Sequence, residues 1–160
     1  MPSPVLTANG WPKDDQELSA WYANYENWAS NRARPIDLEV LRERLWESAA
    51  AGTTVTAGSI MDEFHLVHGG HVRAIGYVVE IVSEFNRRIV GHADVYLSSI
   101  VVTVQSKRSS HPKGLPLRGY FRESDDPSPI SKAEERDAIQ EQKHTQQYCK
   151  NHPFKRWSSP

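Results

Sequence analysis

The chain has 160 residues, a formal net charge of −1 and a single cysteine, Cys149. That length suits one domain with modest extensions and can bury a core without metal or disulfide staples, while one cysteine excludes an intrachain disulfide and fits a reducing compartment. No apolar run reaches the roughly 18 residues that span a bilayer, and Met1 opens no basic-then-apolar leader, so a soluble, cytoplasmic protein with no membrane partner is expected.

Residues 1–13 are polar and punctuated by Pro2, Pro4, Gly10 and Pro12, and read as loose chain. "DDQELSAWYANYENWA" then predicts a short helix. Leu18, Trp21 or Tyr22, Tyr25 and Trp28 recur at near-helical spacing, and Asp14, Asp15 and Glu17 suit the positive end of its dipole. Such an aromatic stripe serves as a packing or docking face more often than as a base-stacking platform. Pro35 starts a second helix, "PIDLEVLRERLWESAAAG", with Leu38, Leu41 and Leu45 as its buried stripe and Gly52 as its stop.

"TTVTAG" is a short β-like lead-in, and "SIMDEFHLV" a brief helix with Ile60, Met61 and Phe64 inward. Gly69 and Gly70 turn the chain into a longer helix from about His71 to Arg88. Val72, Ile75, Val79, Val82 and Phe85 line one of its faces, and Arg87 and Arg88 oppose the negative end of its dipole. "VYLSSIVVTVQ" is β-branched and predicts a strand, "SKRSSHPKG" a polar connector, and "LPLRGYF" a second strand, together a hairpin with a basic tip. "ESDDPSPIS" is a linker, Ser131 and Glu134 suit a capping box, and a polar helix runs to about Cys149 before the tail "PFKRWSSP".

This order predicts an α+β fold, a winged helix-turn-helix-like core with helical extensions at both ends. The corresponding division is an N-terminal extension over 1–34, a core over 35–123, and a linker, polar helix and tail over 124–160. Charge follows the same division. Residues 1–67 hold five Lys/Arg against ten Asp/Glu; residues 68–122 hold eight (Arg73, Arg87, Arg88, Lys107, Arg108, Lys113, Arg118, Arg122) against Glu80, Glu84 and Asp94; the remainder holds six against seven. A basic middle is the footprint of a phosphate-attracting surface, though a solvated charge run with no partner looks the same in one dimension.

Three short matches then carry a resemblance. Val55-Thr56-Ala57-Gly58-Ser59-Ile60, Val72-Arg73-Ala74-Ile75-Gly76 and Ile100-Val101-Val102 resemble the V-[ST]-Y-G-x-[IL], A-R-A-V-G and P-C-H-R-V-V elements of one family. It is the C-terminal DNA-binding domain of the alkylguanine-DNA alkyltransferases and their alkyltransferase-like relatives. The match covers roughly residues 40–105. It implies that Arg73 enters the duplex and replaces a base turned out of the stack, a role suited to a planar guanidinium that stacks and hydrogen-bonds at once. The family's tyrosine falls at Ala57 and its alkyl-accepting cysteine at Ser98, which offers no thiolate at neutral pH. Alkyl transfer is therefore not expected of this chain.

"HLVHGGH" sets His65, His68 and His71 at three-residue steps, a spacing that lets the first two share a helical face and approach zinc. The two glycines break that helix and no carboxylate or cysteine completes a tetrahedral set, so no metal or other cofactor is assigned. Asp62 and Glu63 adjoin the cluster, and a histidine-based metalloenzyme is one alternative. The principal expectation is a non-enzymatic DNA-binding protein. His71, Arg73, Arg87, Arg88, Lys107, Arg108, Lys113 and Arg118 would contact nucleic acid, with the connector's cations and serines holding phosphate, and distorted or modified duplex DNA a possible target. The other reading is a protein-interaction or homodimerisation module using the Trp21–Trp28 helix on a winged scaffold.

Overall fold

The computed structural model of the protein describes residues 14–23, 37–64, 72–103, 114–122 and 126–158, with positions 72–74 and 118 as backbone alone. Among these residues lie helices α1 (Asp15–Ala23), α2 (Leu38–Ala50), α3 (Ala57–Glu63), α4 (Val72–Arg88), α5 (Arg118–Phe121) and α6 (Lys132–Asn151). Strands β1 (Val55–Thr56) and β2 (Val101–Val102) complete the set, and a 3-10 turn over Leu97–Ile100 leads into β2. The fold is thus mostly helical, with one small parallel sheet in which Val55 aligns with Val101 and Thr56 with Val102.

Local chemistry explains the helix ends. Asp37 caps α2 by accepting from the amides of Glu39 and Val40, satisfying donors that have no partner within the helix. Gly52, at φ +74°, follows its C-terminus in a conformation that side chains with a Cβ disfavour. Ser131 and Glu134 form the expected capping box of α6 in both directions.

The core draws on every part of the chain. Leu18 and Tyr22 of α1, Leu41 and Leu45 of α2, Ile75, Val79, Val82 and Phe85 of α4, Leu97 and Ile100 of the 3-10 turn, and Cys149 of α6 belong to one buried cluster. The aromatic helix thus turns Leu18 and Tyr22 inward against α4, whereas Tyr25 and Trp28 lie outside the described residues.

Two strand expectations are corrected. The stretch from Val95 is not a continuous strand, because Leu97–Ile100 coil into the 3-10 turn and only Val101–Val102 extend. All four turn residues are buried, since α2, α4 and α6 all pack on this segment. A strand with one solvated face alternates inward and outward residues and cannot meet that demand. "LPLRGYF" likewise extends only around Pro116, which bridges to Val102, before Arg118–Phe121 form α5. No described helix is long and apolar enough to cross a membrane.

Candidate nucleic-acid interface

Helix α3 starts at Thr56, whose hydroxyl accepts from the Ser59 amide at 3.1 Å, and Ile60 and Met61 anchor it in the core. Helix α4 follows residues 65–71. From Val78 to Asn86 every residue of α4 is buried, while Gly76 and Tyr77 before that stretch and Arg87 and Arg88 after it are half-buried. Arg73 lies in the first turn of the helix. Gly76 follows one turn later, where an added Cβ would meet nothing within 4 Å. Glycine inside a helix costs about 1 kcal/mol relative to alanine, and no contact with a described residue requires it here.

The basic connector is closed at its base. The Thr103 amide donates to the Leu115 carbonyl at 3.0 Å, the Gly114 amide to the Thr103 carbonyl at 3.1 Å, and the Leu117 amide to the Val101 carbonyl at 3.2 Å. Gly114 turns at φ +86°, and Gln142 of α6 donates to its carbonyl at 3.0 Å. Thr103 and Gly114, the described residues that flank positions 104–113, are thus hydrogen-bonded neighbours. Lys107, Arg108, Lys113 and His71 lie outside the described residues, as do His65 and His68. Arg73 and Arg118 are placed by their backbones in α4 and α5.

Arg87 and Arg88 are placed in full, and their charge is matched within the fold. Arg87 pairs with Glu84 at 3.0 Å, donates to the Ala93 carbonyl at 3.0 Å and lies 4.1 Å over the Tyr96 ring. Arg88 pairs with Asp15 of α1 at 2.5 Å and approaches Glu84 at 3.8 Å. Burial raises the Glu84 carboxyl above the usual range, while the two guanidinium groups oppose that shift. These arginines join the end of α4 to α1 and to the segment before the 3-10 turn.

Ser98, which the resemblance would align with an acceptor cysteine, is closed off. It is buried and donates to the hydroxyl of Ser83, also buried, at 3.3 Å. Cys149 is buried too, and desolvation pushes its thiol up to about 12, far from a reactive thiolate. Among the described residues no group of His, Cys, Asp and Glu is arranged to hold a metal ion.

A further polar centre is absent from the candidates above. Arg42, fully buried, pairs with Glu39 at 2.6 Å, donates to Asn86 at 3.0 Å and to the Lys155 carbonyl at 2.8 Å, and lies 4.4 Å over the Phe154 ring. Its signal in the sequence is its register. Leu38, Leu41, Arg42, Leu45 and Ala49 fall on one helical face, so Arg42 occupies the stripe that faces inward.

No family model, curated protein or solved structure matches the chain.

Proposed function

We propose that the protein is a non-enzymatic DNA-binding protein built on a winged-helix-like core. The first turns of α4 meet the duplex, and the loop over 104–113 acts as the wing. The observation that carries this reading is the restriction of access to α4. Its stretch from Val78 to Asn86 is buried and the arginines that end it are paired within the fold, which leaves the first turns, with Arg73 and the half-buried Gly76, as what a duplex could approach. The chain order β1, α3, α4, β2 and the hydrogen bonds between Thr103 and Gly114–Leu115 at the two ends of the basic segment support it, as does the resemblance of Val72–Gly76 to the alkyltransferase-like recognition helix. Val40 and Ile139 are the large apolar side chains exposed among the described residues, which offers little to a hydrophobic protein partner.

Cations on phosphates release condensed counterions, so binding must weaken with salt. Lys107, Arg108, Lys113 and Arg118 alone would give a log–log slope near −3.6, or about a 100-fold loss of affinity between 50 and 200 mM salt. Fluorescence anisotropy with a labelled duplex across that range measures it; a flat response, or no binding at low salt, overturns the reading.

Arg73→Ala tests the finger role separately. A filler side chain partly offsets the cost of extrusion, and that cost is least at a mismatch. The variant should lose about tenfold more affinity for mismatched than for matched duplex. Equal losses on the two substrates would remove Arg73 from the base stack.

A further inference from the structure

The segment after residue 122 is nearly neutral in sequence, yet folding sorts its charges. Of its described acids, all but the exposed Asp137 are engaged or drawn inward. Glu134 takes a bidentate pair from Arg122 at 2.5 and 2.6 Å, Glu135 pairs with Lys132 at 3.3 Å, and Asp126 approaches Arg122 at 4.0 Å. Glu141 is half-buried, and desolvation raises its carboxyl above the usual range. The cations are left outside. Arg136, Lys143 and Lys150 are exposed and make no ion pair with a described residue.

Their spacing on α6 is the telling feature. Arg136, Gln140, Lys143, Gln147 and Lys150 fall within about 40° of one line along the helix, from 3.6 residues per turn. The five residues are all exposed. On the same geometry Asp137 and Glu135 lie about 100° away on either side, and Glu134 and Glu141 are farther round. Ala138, Gln142, Thr145 and Cys149 form the opposite, buried face. The outermost line of α6 is therefore a row of cations and amides about 21 Å long with no carboxylate of the helix on it.

We infer that this row is a second phosphate-contacting surface, fitted to the backbone of duplex DNA. Charge complementarity selects the partner: a rigid row of cations separated by amide donors matches a polyanion that presents phosphate oxygens at short, regular intervals. An anionic membrane is the poorer fit, because an interfacial helix needs an apolar face to insert, and that face of α6 is buried in the core. An acidic protein partner would want an apolar or aromatic anchor at the centre of its contact, and beside the row only Ile139 is an exposed large apolar residue.

The surface shares its ligand with the function proposed above but none of its residues. The Gln142 bond to Gly114 and the Arg122 pair with Glu134 join α6 to the base of the wing and to the turn after α5. A phosphate row on α6 therefore adds contacts without rearranging the recognition helix.

The experiment compares three full-length proteins on one labelled duplex across a salt series: wild type, R136Q/K143Q/K150Q, and K107Q/R108Q/K113Q. Three lost phosphate contacts should reduce the slope of the α6 variant by about 2.7 in magnitude. Its thermal midpoint should hold, since the three side chains are solvated. R136K/K143R/K150R, which keeps the charge, should keep the slope. An α6 variant with the wild-type slope overturns the inference, and if the wing variant loses slope in that case the function proposed above stands without it. Loss in the α6 variant with none in the wing variant leaves the inference standing and rejects the wing. Phosphatidylserine-containing vesicles serve as the competing probe: cosedimentation abolished in the α6 variant, with DNA slope unchanged, would assign the row to a lipid surface and overturn the inference.

Discussion

Arg42→Ala should destabilise the protein by about 3–5 kcal/mol, the cost of leaving one member of a buried pair without its partner. Glu39 accepts from Arg42 at 2.6 and 2.9 Å, from the Tyr22 hydroxyl at 2.6 Å and from the Trp157 amide at 2.6 Å. Without the guanidinium that carboxylate keeps two donors but no countercharge, with its side chain only 12% exposed. Asn86 and the Lys155 carbonyl each lose a donor. The loss is a large part of the 5–15 kcal/mol by which native domains are typically stable, and urea unfolding should show it as a lower midpoint. The double variant Glu39→Gln/Arg42→Met removes both charges and should recover most of the loss, because a buried pair can be replaced by neutral groups at little net cost. A single-variant loss below about 1 kcal/mol would place the pair in the class of weak surface contacts instead.

The same centre sets an acid response. Burial pushes the Glu39 carboxyl upward, but bonds from Arg42, Tyr22 and the Trp157 amide outweigh it and hold the group below its usual range. A depressed carboxylate stabilises the fold above its unfolded pKa and loses that contribution as pH falls through the folded value. Wild-type stability should therefore decline from the ordinary carboxylate range downward, and Glu39→Gln should lack that component. Tyr22 stays protonated throughout, since burial, and then its bond to Glu39, raise the phenol far above neutral pH.

Helices with a strong apolar period were legible in the sequence, and so was the capping box of α6, because both depend on nearest turns. The segment from Val95 to Val102 was not. β-branched composition records a preference for extended chain, but three surrounding helices bury Leu97–Ile100 on all sides and coil them. Charge failed in the same way, since a count along the chain ignores partners. Arg87, Arg88 and Arg122, three of the eight cations in the basic middle, are paired with Glu84, Asp15 and Glu134. Arg136, Lys143 and Lys150, in a segment that counts as neutral, form the uninterrupted basic row. The register of Arg42 was readable from the Leu38, Leu41, Leu45 spacing, but its partners Asn86 and Lys155 are 44 and 113 residues away in sequence. No local pattern announces them.

Phe85→Ala should cost about 3–5 kcal/mol in its own right, the range for truncating a buried aromatic ring to a methyl group, or about 2–3.5 orders of magnitude in the folding equilibrium. Phe85 is fully buried; the Tyr22 ring stacks parallel to it at 3.6 Å, and Trp157 meets it edge-on at 5.0 Å. One side chain of α4 thereby seats both α1 and the C-terminal tail. Truncation should raise amide exchange in α1 and around Trp157 together, and shift tryptophan emission to the red as that ring gains water. Phe85→Leu refills part of the volume and should cost about 1–1.5 kcal/mol for the shape change, plus about 0.5–1.5 kcal/mol for lost ring contacts. Because Phe85 lies in the enclosed half of α4, Phe85→Leu should leave the salt slope for duplex DNA unchanged at temperatures where it is folded. A changed slope would mean that the ends of the chain help to position the first turns of α4, and that the two halves of this helix do not act independently.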